Sequence, residues 1–237
     1  MELTCATVVL PPTLDPASVA ALTRALDEAL ASPAPVVALT GAGPDLFCAG
    51  LAIDAATEGR DAMTAFATLL TTLHMAPKPL LAIVDGTAIG GGLGLACACD
   101  WVVATSRSTF ALPELLWGLV PAIIWPVVTD RMAPHVARHW TVSAYSRDAA
   151  TAAAAGVVDE VVDAAHLSAG RARGVRALMR LEPNALRCLR AWSRESRLLP
   201  LPDALHRGAA ITTGLAGQPA VRARWRAFTD GEAPWSA

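Results

Sequence analysis

Hydrophobic and polar positions along the first half of the chain alternate between two patterns. Residues 3–10 and 36–40 are short apolar runs with too few polar positions for surface strands, so they predict buried strands. Asp15 followed by Pro16 is typical of the start of a helix. Residues 62–75 have helical spacing, and their apolar positions fall on one face: Met63, Phe66, Leu69, Leu70 and Leu73. Strands that alternate with helices predict the α/β class.

The second half of the chain has a different pattern. Residues 134–155 are rich in alanine and predict mostly helix, and residues 156–162 predict one last strand. Nearly all of the sequence after that strand has helical character. We therefore predict an α/β core over residues 1–163 and a C-terminal helical lobe over residues 164–237.

Composition limits the classes of partner. Hydrophobic residues make up 54% of the chain and charged residues 17%, which leaves little charged surface and predicts buried contacts between subunits. The net charge is −2 and no basic patch is visible, so we expect no nucleic-acid partner. The five cysteines form no Cys-x-x-Cys pair and lie among apolar residues. This usage predicts buried thiols in a reducing cytoplasm and no metal site.

No segment has the pattern of a membrane span or a signal peptide. The first residues lack the basic and apolar regions of a secretory signal, so we expect none. Residues 79–99 are the most membrane-like run, but Asp85 and a cluster of glycines interrupt them. We expect a protein without a membrane association, located in the cytoplasm.

Consecutive glycines at 90–92 join a predicted strand to a predicted helix that ends near Asp100. Backbone N–H groups at the start of a helix have no intrahelical partner, and glycine allows a ligand to approach them closely. Such a turn can hold a phosphate or the negative oxygen of an enolised thioester. The spacing matches neither a dinucleotide fingerprint nor a P-loop. From the glycines alone, a tight turn that permits close helix packing is the favoured interpretation.

Three segments carry motifs in a specific order: residues 37–50, residues 77–92 and residues 99–121. Taken together, these segments resemble the crotonase (enoyl-CoA hydratase/isomerase) family. The first two resemble its two oxyanion loops, and the third resembles its later signature. Residues 156–162 resemble the strand that precedes the helical lobe of the family. The resemblance covers nearly the whole chain.

This resemblance implies a fold, an assembly and a chemistry. The fold would be a crotonase-like spiral of ββα units with a C-terminal helical lobe that forms trimers, so that the protein would be a homotrimer or a hexamer. The substrate would be an acyl thioester on a phosphopantetheine arm, carried by CoA or by an acyl carrier protein, with no other cofactor. The thioester oxygen would lie between the backbone N–H groups of Leu51 and Gly91.

The chain also departs from the pattern of the family. Hydratases of the family carry two glutamates; the second matches Glu114, whereas the position of the first is Gly94. Glu114 is therefore the predicted catalytic acid and base. Without the resemblance, a glutamate after Pro113 would be read as ordinary electrostatics at a helix start.

Other residues are candidates for the substrate pocket. Gly94, Trp117 and Trp125 are predicted to line the acyl pocket, although core packing explains the two tryptophans equally well. Arg60 is a candidate partner for a distal carboxylate on the substrate, and Lys78 is a second one.

Residues 113–122 are most similar to stand-alone family members that serve polyketide synthases during β-branching. This similarity implies dehydration of a 3-hydroxy-3-methylglutaryl thioester on an acyl carrier protein. An enoyl-CoA isomerase or a general enoyl-CoA hydratase stays open as an alternative, because one glutamate also suits proton transfer between two carbons. A catalytically silent scaffold subunit with the same fold is the alternative from another class.

Overall fold

The computed structural model describes residues 5–52 and 60–231 of the chain. It divides into two compact units, Met1–Leu178 and Met179–Ala237. The predicted boundary at residue 163 marks the end of the last strand, whereas the compact units divide after Leu178. In the described ranges, no helix has both the length and the apolar character that a membrane crossing requires.

Within the described residues, the first unit contains all nine strands and seven α-helices. The strands are β1 (Cys5–Leu10), β2 (Val36–Gly41), β3 (Leu46–Cys48), β4 (Leu80–Val84), β5 (Thr87–Ile89), β6 (Trp101–Thr105), β7 (Thr109–Ala111), β8 (Arg147–Asp148) and β9 (Glu160–Val162). The helices are α1 (Pro16–Ala31), α2 (Arg60–His74), α3 (Gly91–Cys97), α4 (Trp125–Arg131), α5 (Pro134–Ser143), α6 (Ala149–Ala154) and α7 (Leu167–Met179). Short 3₁₀ helices span Glu114–Trp117 and Ala164–His166.

The strands form two sheets, and the chain passes repeatedly from one sheet to the other. The larger sheet has the order β1-β2-β4-β6-β9 and all of its strands are parallel. The smaller sheet has the order β3-β5-β7-β8, with only β8 antiparallel. Three successive pairs, β2–β3, β4–β5 and β6–β7, therefore each contribute one strand to each sheet. This repetition is the predicted spiral of ββα units, and the fold class is confirmed.

Buried strands and capped helices explain why this sequence adopts the fold. All five residues of β4 are buried, as expected for the central strand of a parallel sheet that is covered on both faces. Asp15 caps α1 through a reciprocal pair of hydrogen bonds with Ser18, and Pro16 begins the helix, as predicted. The predicted apolar face of α2 places Phe66 and Leu69 in the core.

The structure corrects the prediction that one strand runs directly into the glycine turn. Two strands lie there, β4 and β5, and they belong to different sheets. Gly86 makes the change of sheet with φ +102°, and a Cβ on it would lie 2.5 Å from the backbone nitrogen of Leu46. The Asp85 carboxylate supports the corner, because it accepts hydrogen bonds from Thr105 and Arg107.

Two other predicted elements are shorter than expected. The predicted strand over 156–162 forms only over Glu160–Val162, because the backbone N–H groups of Gly156 and Val157 donate hydrogen bonds to the carbonyl oxygens at the end of α6. The predicted helix over 134–155 is interrupted by Ala144, which ends α5 with φ 52°.

The second unit is helical. Its helices are α8 (Pro183–Glu195), α9 (Leu201–Ala216) and α10 (Pro219–Thr229), with a 3₁₀ turn at Ser196–Leu198. Over residues 179–231, the described part of this unit, no side chain is buried, and several large apolar side chains are exposed. The predicted role of this region in trimerisation stays a prediction.

Candidate active site

Three residues predicted to form the site follow three neighbouring strands of the smaller sheet. Leu51 comes after β3, Gly91 after β5 and Glu114 after β7. These strands are adjacent and parallel, with Ile89 of β5 opposite Ala111 of β7. Parallel neighbours end at the same edge of a sheet, so the three residues are brought together although they are far apart in sequence.

The segment around Leu51 is held by the loop that precedes α1. Leu14 donates a backbone hydrogen bond to Gly50 O (2.8 Å), and Ala52 donates one to Leu14 O (2.9 Å). Along an extended segment, successive backbone groups point to opposite sides. The N–H of Leu51 therefore points away from Leu14.

The Leu51 segment and the start of α3 approach each other through glycines. A Cβ on Gly50 would lie 2.7 Å from Gly91 N, and a Cβ on Gly91 would lie 3.4 Å from Leu51 N. Gly50 and Gly90 have φ values of +82° and +51°, which disfavour other residues. Gly91 is the first residue of α3, where N–H groups have no intrahelical acceptor. Two backbone N–H groups thus lie close together beside one cavity.

Glu114 begins the 3₁₀ helix that follows Pro113, and its carboxyl group lies against the glycine turn. A Cβ on Gly90 would be 2.9 Å from Glu114 Oε1. Glu114 Oε2 is buried, and no hydrogen-bond partner is found for it among the described residues. Burial raises the pKa of Glu114 above its usual value near 4.5, because the charged form loses its hydration. A carboxyl group in this state is suited to accept and return a proton.

These groups face a cavity of about 520 Å³ whose described lining is mainly hydrocarbon. Glu114 is the one ionisable side chain of that lining. The other lining residues are Thr13, Ala49, Leu51, Ala52, Met63, Phe66, Ile89, Gly90, Gly91, Pro113, Trp117, Leu119, Val120, Pro121, Ala122, Ile123 and Ile124. The cavity is therefore suited to an apolar chain whose polar end lies at the glycine turn.

The structure brings together four of the seven residues predicted for the site. Leu51, Gly91, Glu114 and Trp117 all line the cavity. Their catalytic and binding roles stay predictions.

The other three predicted residues do not belong to the described lining. Gly94 is buried behind Ile124, and Trp125 packs against the hydrophobic core. The side chain of Arg60 lies outside the described residues. Lys78, the second candidate cation, donates hydrogen bonds to the carbonyl oxygens of Ala29 and Ser32 at the end of α1.

Sequence reasoning missed the hydrocarbon walls of the cavity. Met63 and Phe66 were predicted as one face of a helix, but not as part of a site. Residues 119–124 form another wall, and their apolar run was the only available signal. In the described ranges, no group of three or more potential ligands could hold a metal ion.

Comparison with known proteins agrees with this architecture. The family model for enoyl-CoA hydratase/isomerase matches residues 11–228. A carnitinyl-CoA dehydratase of Escherichia coli (strain SMS-3-5 / SECEC) is 31% identical over 177 residues, which are 71% of this chain and 67% of that protein. The chain therefore belongs to the enoyl-CoA hydratase/isomerase family, and the predicted enzyme class is confirmed.

Solved structures have the same fold. Human enoyl-CoA hydratase domain-containing protein 3 superposes with a TM-score of 0.84 at 22% identity, covering 96% of this chain and 94% of its own. An enoyl-CoA hydratase from Mycobacterium smegmatis gives a TM-score of 0.84 at 21% identity, with coverages of 99% and 95%. At these identities the likeness establishes the fold.

Proposed function

We propose that this protein dehydrates a 3-hydroxyacyl thioester, with one glutamate, Glu114, as acid and base. The observation that carries the proposal is the Glu114 carboxyl group, which has a buried Oε2, lies against Gly90 and lines the same cavity as Leu51 and Gly91. The dehydratase relative in Escherichia coli supports the same direction of chemistry.

The first step forms an enolate. The thioester oxygen accepts hydrogen bonds from Leu51 N–H and Gly91 N–H, which stabilise the negative charge as it develops. The ionised Glu114 takes a proton from the carbon next to the thioester. Loss of one such backbone donor costs about 10²–10³ in rate in comparable sites.

The second step expels the hydroxyl group. The enolate electrons form the carbon–carbon double bond while the bond from C3 to oxygen breaks. Glu114 returns its proton to the departing oxygen, so that water leaves and the carboxylate is regenerated. We assign both steps to Glu114, which is the one ionisable group of the described lining.

We further propose that the acyl group is 3-hydroxy-3-methylglutaryl on an acyl carrier protein. This assignment rests on the resemblance of residues 113–122 to the dehydratases of polyketide β-branching. Arg60, in the segment that follows the Leu51 loop, is the residue we propose as partner for the distal carboxylate. A CoA thioester of the same acyl group is the alternative carrier.

A mass-spectrometric assay tests the proposal on both carriers. Wild-type protein is expected to remove one water from the carrier-bound substrate, and Glu114→Gln to abolish this loss. Glu28→Gln is the matched control, since Glu28 is exposed on α1 and away from the cavity lining. Turnover of Glu114→Gln close to that of the wild type would refute the role of Glu114.

Isomerisation is a second candidate, and it is favoured by the same single carboxylate. Proton transfer from C2 to C4 of a 3-enoyl-CoA needs one base and no departing water. Migration of the double bond in 3-enoyl-CoA, with no dehydration on either carrier, would select this candidate. Absence of thioester binding in calorimetry would select the scaffold alternative.

A further inference from the structure

The side chain of Ile124 fills the space that a side chain at position 94 would need. A Cβ on Gly94 would lie 2.8 Å from Ile124 Cβ and closer still to Ile124 Cγ2. Ile124 is 3% exposed and Gly94 is also buried, so a clash between their side chains could not be relieved by turning one toward solvent. Glycine at 94 and isoleucine at 124 therefore form a matched pair, in which the absence of one side chain admits the other.

This pair lies close to the proposed base. Gly94 N–H donates a hydrogen bond to the carbonyl oxygen of Gly90 (2.9 Å), the N-cap residue one turn earlier. Position 90 is in turn in contact with Glu114 Oε1. Ile124 and Glu114 both line the cavity, so the side chain that fills the space at Gly94 belongs to the same lining as the carboxylate.

The chemistry of this wall is entirely hydrocarbon. Ile124 is β-branched and stiff at χ1, so its surface keeps a fixed shape. Ile123 and Leu119 line the same cavity and extend the apolar surface. Such a surface gains free energy from contact with an alkyl group and offers nothing to a charged or hydroxyl-bearing one.

We propose that Ile124 is a specificity-determining residue that packs against an alkyl branch on the acyl chain, near the carbons on which Glu114 acts. This inference rests on the proposed function, since it takes the acyl chain of a thioester as the occupant of the cavity. It adds the residue that recognises the branch of the acyl chain.

Matched substrates test the inference by turnover. The wild type, Ile124→Val and Ile124→Ala are compared on 3-hydroxy-3-methylglutaryl and unbranched 3-hydroxyglutaryl thioesters of one carrier. Ile124→Ala is expected to lower kcat/KM about tenfold for the branched substrate and less than about twofold for the unbranched one, with Ile124→Val between. An unchanged ratio of the two kcat/KM values in Ile124→Ala would overturn the inference.

A binding experiment separates this inference from the proposed function. Isovaleryl-CoA and butyryl-CoA differ by one methyl branch and have no hydroxyl group to lose, so calorimetry on them needs no catalysis. Ile124→Ala should lower the affinity for isovaleryl-CoA about tenfold and leave the affinity for butyryl-CoA nearly unchanged. An equal effect on both ligands would overturn the inference. If the wild type dehydrates nothing but the affinity ratio changes as expected, only the proposed function fails.

A second variant controls for loss of stability. Val128 lies on α4, whose N-cap is Ile124, and both residues are buried. Val128 does not line the cavity. Val128→Ala should lower the free energy of unfolding and leave the ratio of branched to unbranched substrates as in the wild type. A ratio shifted equally by Val128→Ala and Ile124→Ala would show a general effect of core packing and would overturn the inference.

Discussion

The carboxyl group of Glu114 occupies the space in which a side chain at position 90 would lie. A Cβ at 90 would lie 2.9 Å from Oε1 and 3.6 Å from Cδ of Glu114. The backbone of Gly90 adopts φ 51° and ψ −116°, and in this conformation a Cβ atom would point at the carboxyl group. The glycine therefore leaves room for the carboxyl group beside Gly91 N–H.

Gly90→Ala is expected to displace this carboxyl group. The rate should fall about 10²-fold, since a shift of about 1 Å in a reacting group can cost that much. The backbone conformation adds a loss of about 1–3 kcal/mol in the free energy of unfolding. Steady-state kinetics and chemical denaturation measure the two effects separately.

Gly43→Ala is the matched control for this variant. Gly43 is exposed, and a Cβ on it would meet no atom within 4 Å. It should leave both rate and stability close to those of the wild type. Should Gly90→Ala be less stable yet keep the wild-type kcat, the position of the carboxyl group would not depend on Gly90.

The pH dependence of the reaction follows from the raised pKa of Glu114. Only the ionised form takes a proton, so kcat/KM should rise with pH through an apparent pKa above 4.5 and then level off. Glu114→Asp should keep a rising limb at a lower plateau, and any residual rate of Glu114→Gln should lack the rising limb. A rising limb of the same midpoint in Glu114→Gln would assign the ionisation to another group.

The same raised pKa predicts how stability depends on pH. Between the usual value and the raised value, the folded state binds more protons at Glu114 than the unfolded state does. The contribution of Glu114 to the free energy of unfolding therefore falls as pH rises through that window, and it reaches its lowest value above the window. Glu114→Gln removes the cost, so the variant should be more stable than the wild type at about pH 8 and gain less at about pH 4.

Urea denaturation at both pH values measures this difference. Glu28→Gln is again the control, because an exposed glutamate loses little hydration on folding. A gain for Glu114→Gln that is larger at the lower pH would contradict the predicted sign.

Ala144 offers a prediction for stability alone. It is the C-cap of α5 and the one non-glycine residue with positive φ in the described ranges, at φ 52° and ψ 16°. A left-handed conformation costs an L-residue about 1 kcal/mol relative to glycine, so Ala144→Gly should stabilise the protein by roughly that amount. Ala155 is the C-cap of α6 with φ −84°, and Ala155→Gly should destabilise slightly. Thermal unfolding of both variants compares the two signs; a loss of stability in Ala144→Gly would contradict the prediction.

Local signals in the sequence predicted the elements that carry them. Asp15 and Pro16 predicted the start of α1, and the apolar run at 36–40 predicted the buried strand β2. The glycines at 90–92 predicted a strand joined to a helix, and α3 begins at Gly91. β5 was not predicted as a separate strand, because three residues are too few for a periodicity and the change of sheet depends on the Gly86 corner.

The site was predictable only in part for a similar reason. Glu114, Leu51 and Gly91 were found through motifs that resemble a family, since no local pattern connects residues so far apart. The contact between Ile124 and Gly94 had no signal, because it joins two helices through one side chain. An apolar run of residues indicates burial, but it does not say which other segment it touches.

The placement of the three proposed site residues after β3, β5 and β7 has a consequence for evolution. Each residue is fixed by the register of its own strand, so the length of chain between them is free to vary. An insertion in the region between Leu51 and α2 would lengthen a connection without moving Gly91 or Glu114. A substitution at one of the three positions therefore leaves the other two in place. A new reaction can arise by changing one side chain on an unchanged sheet.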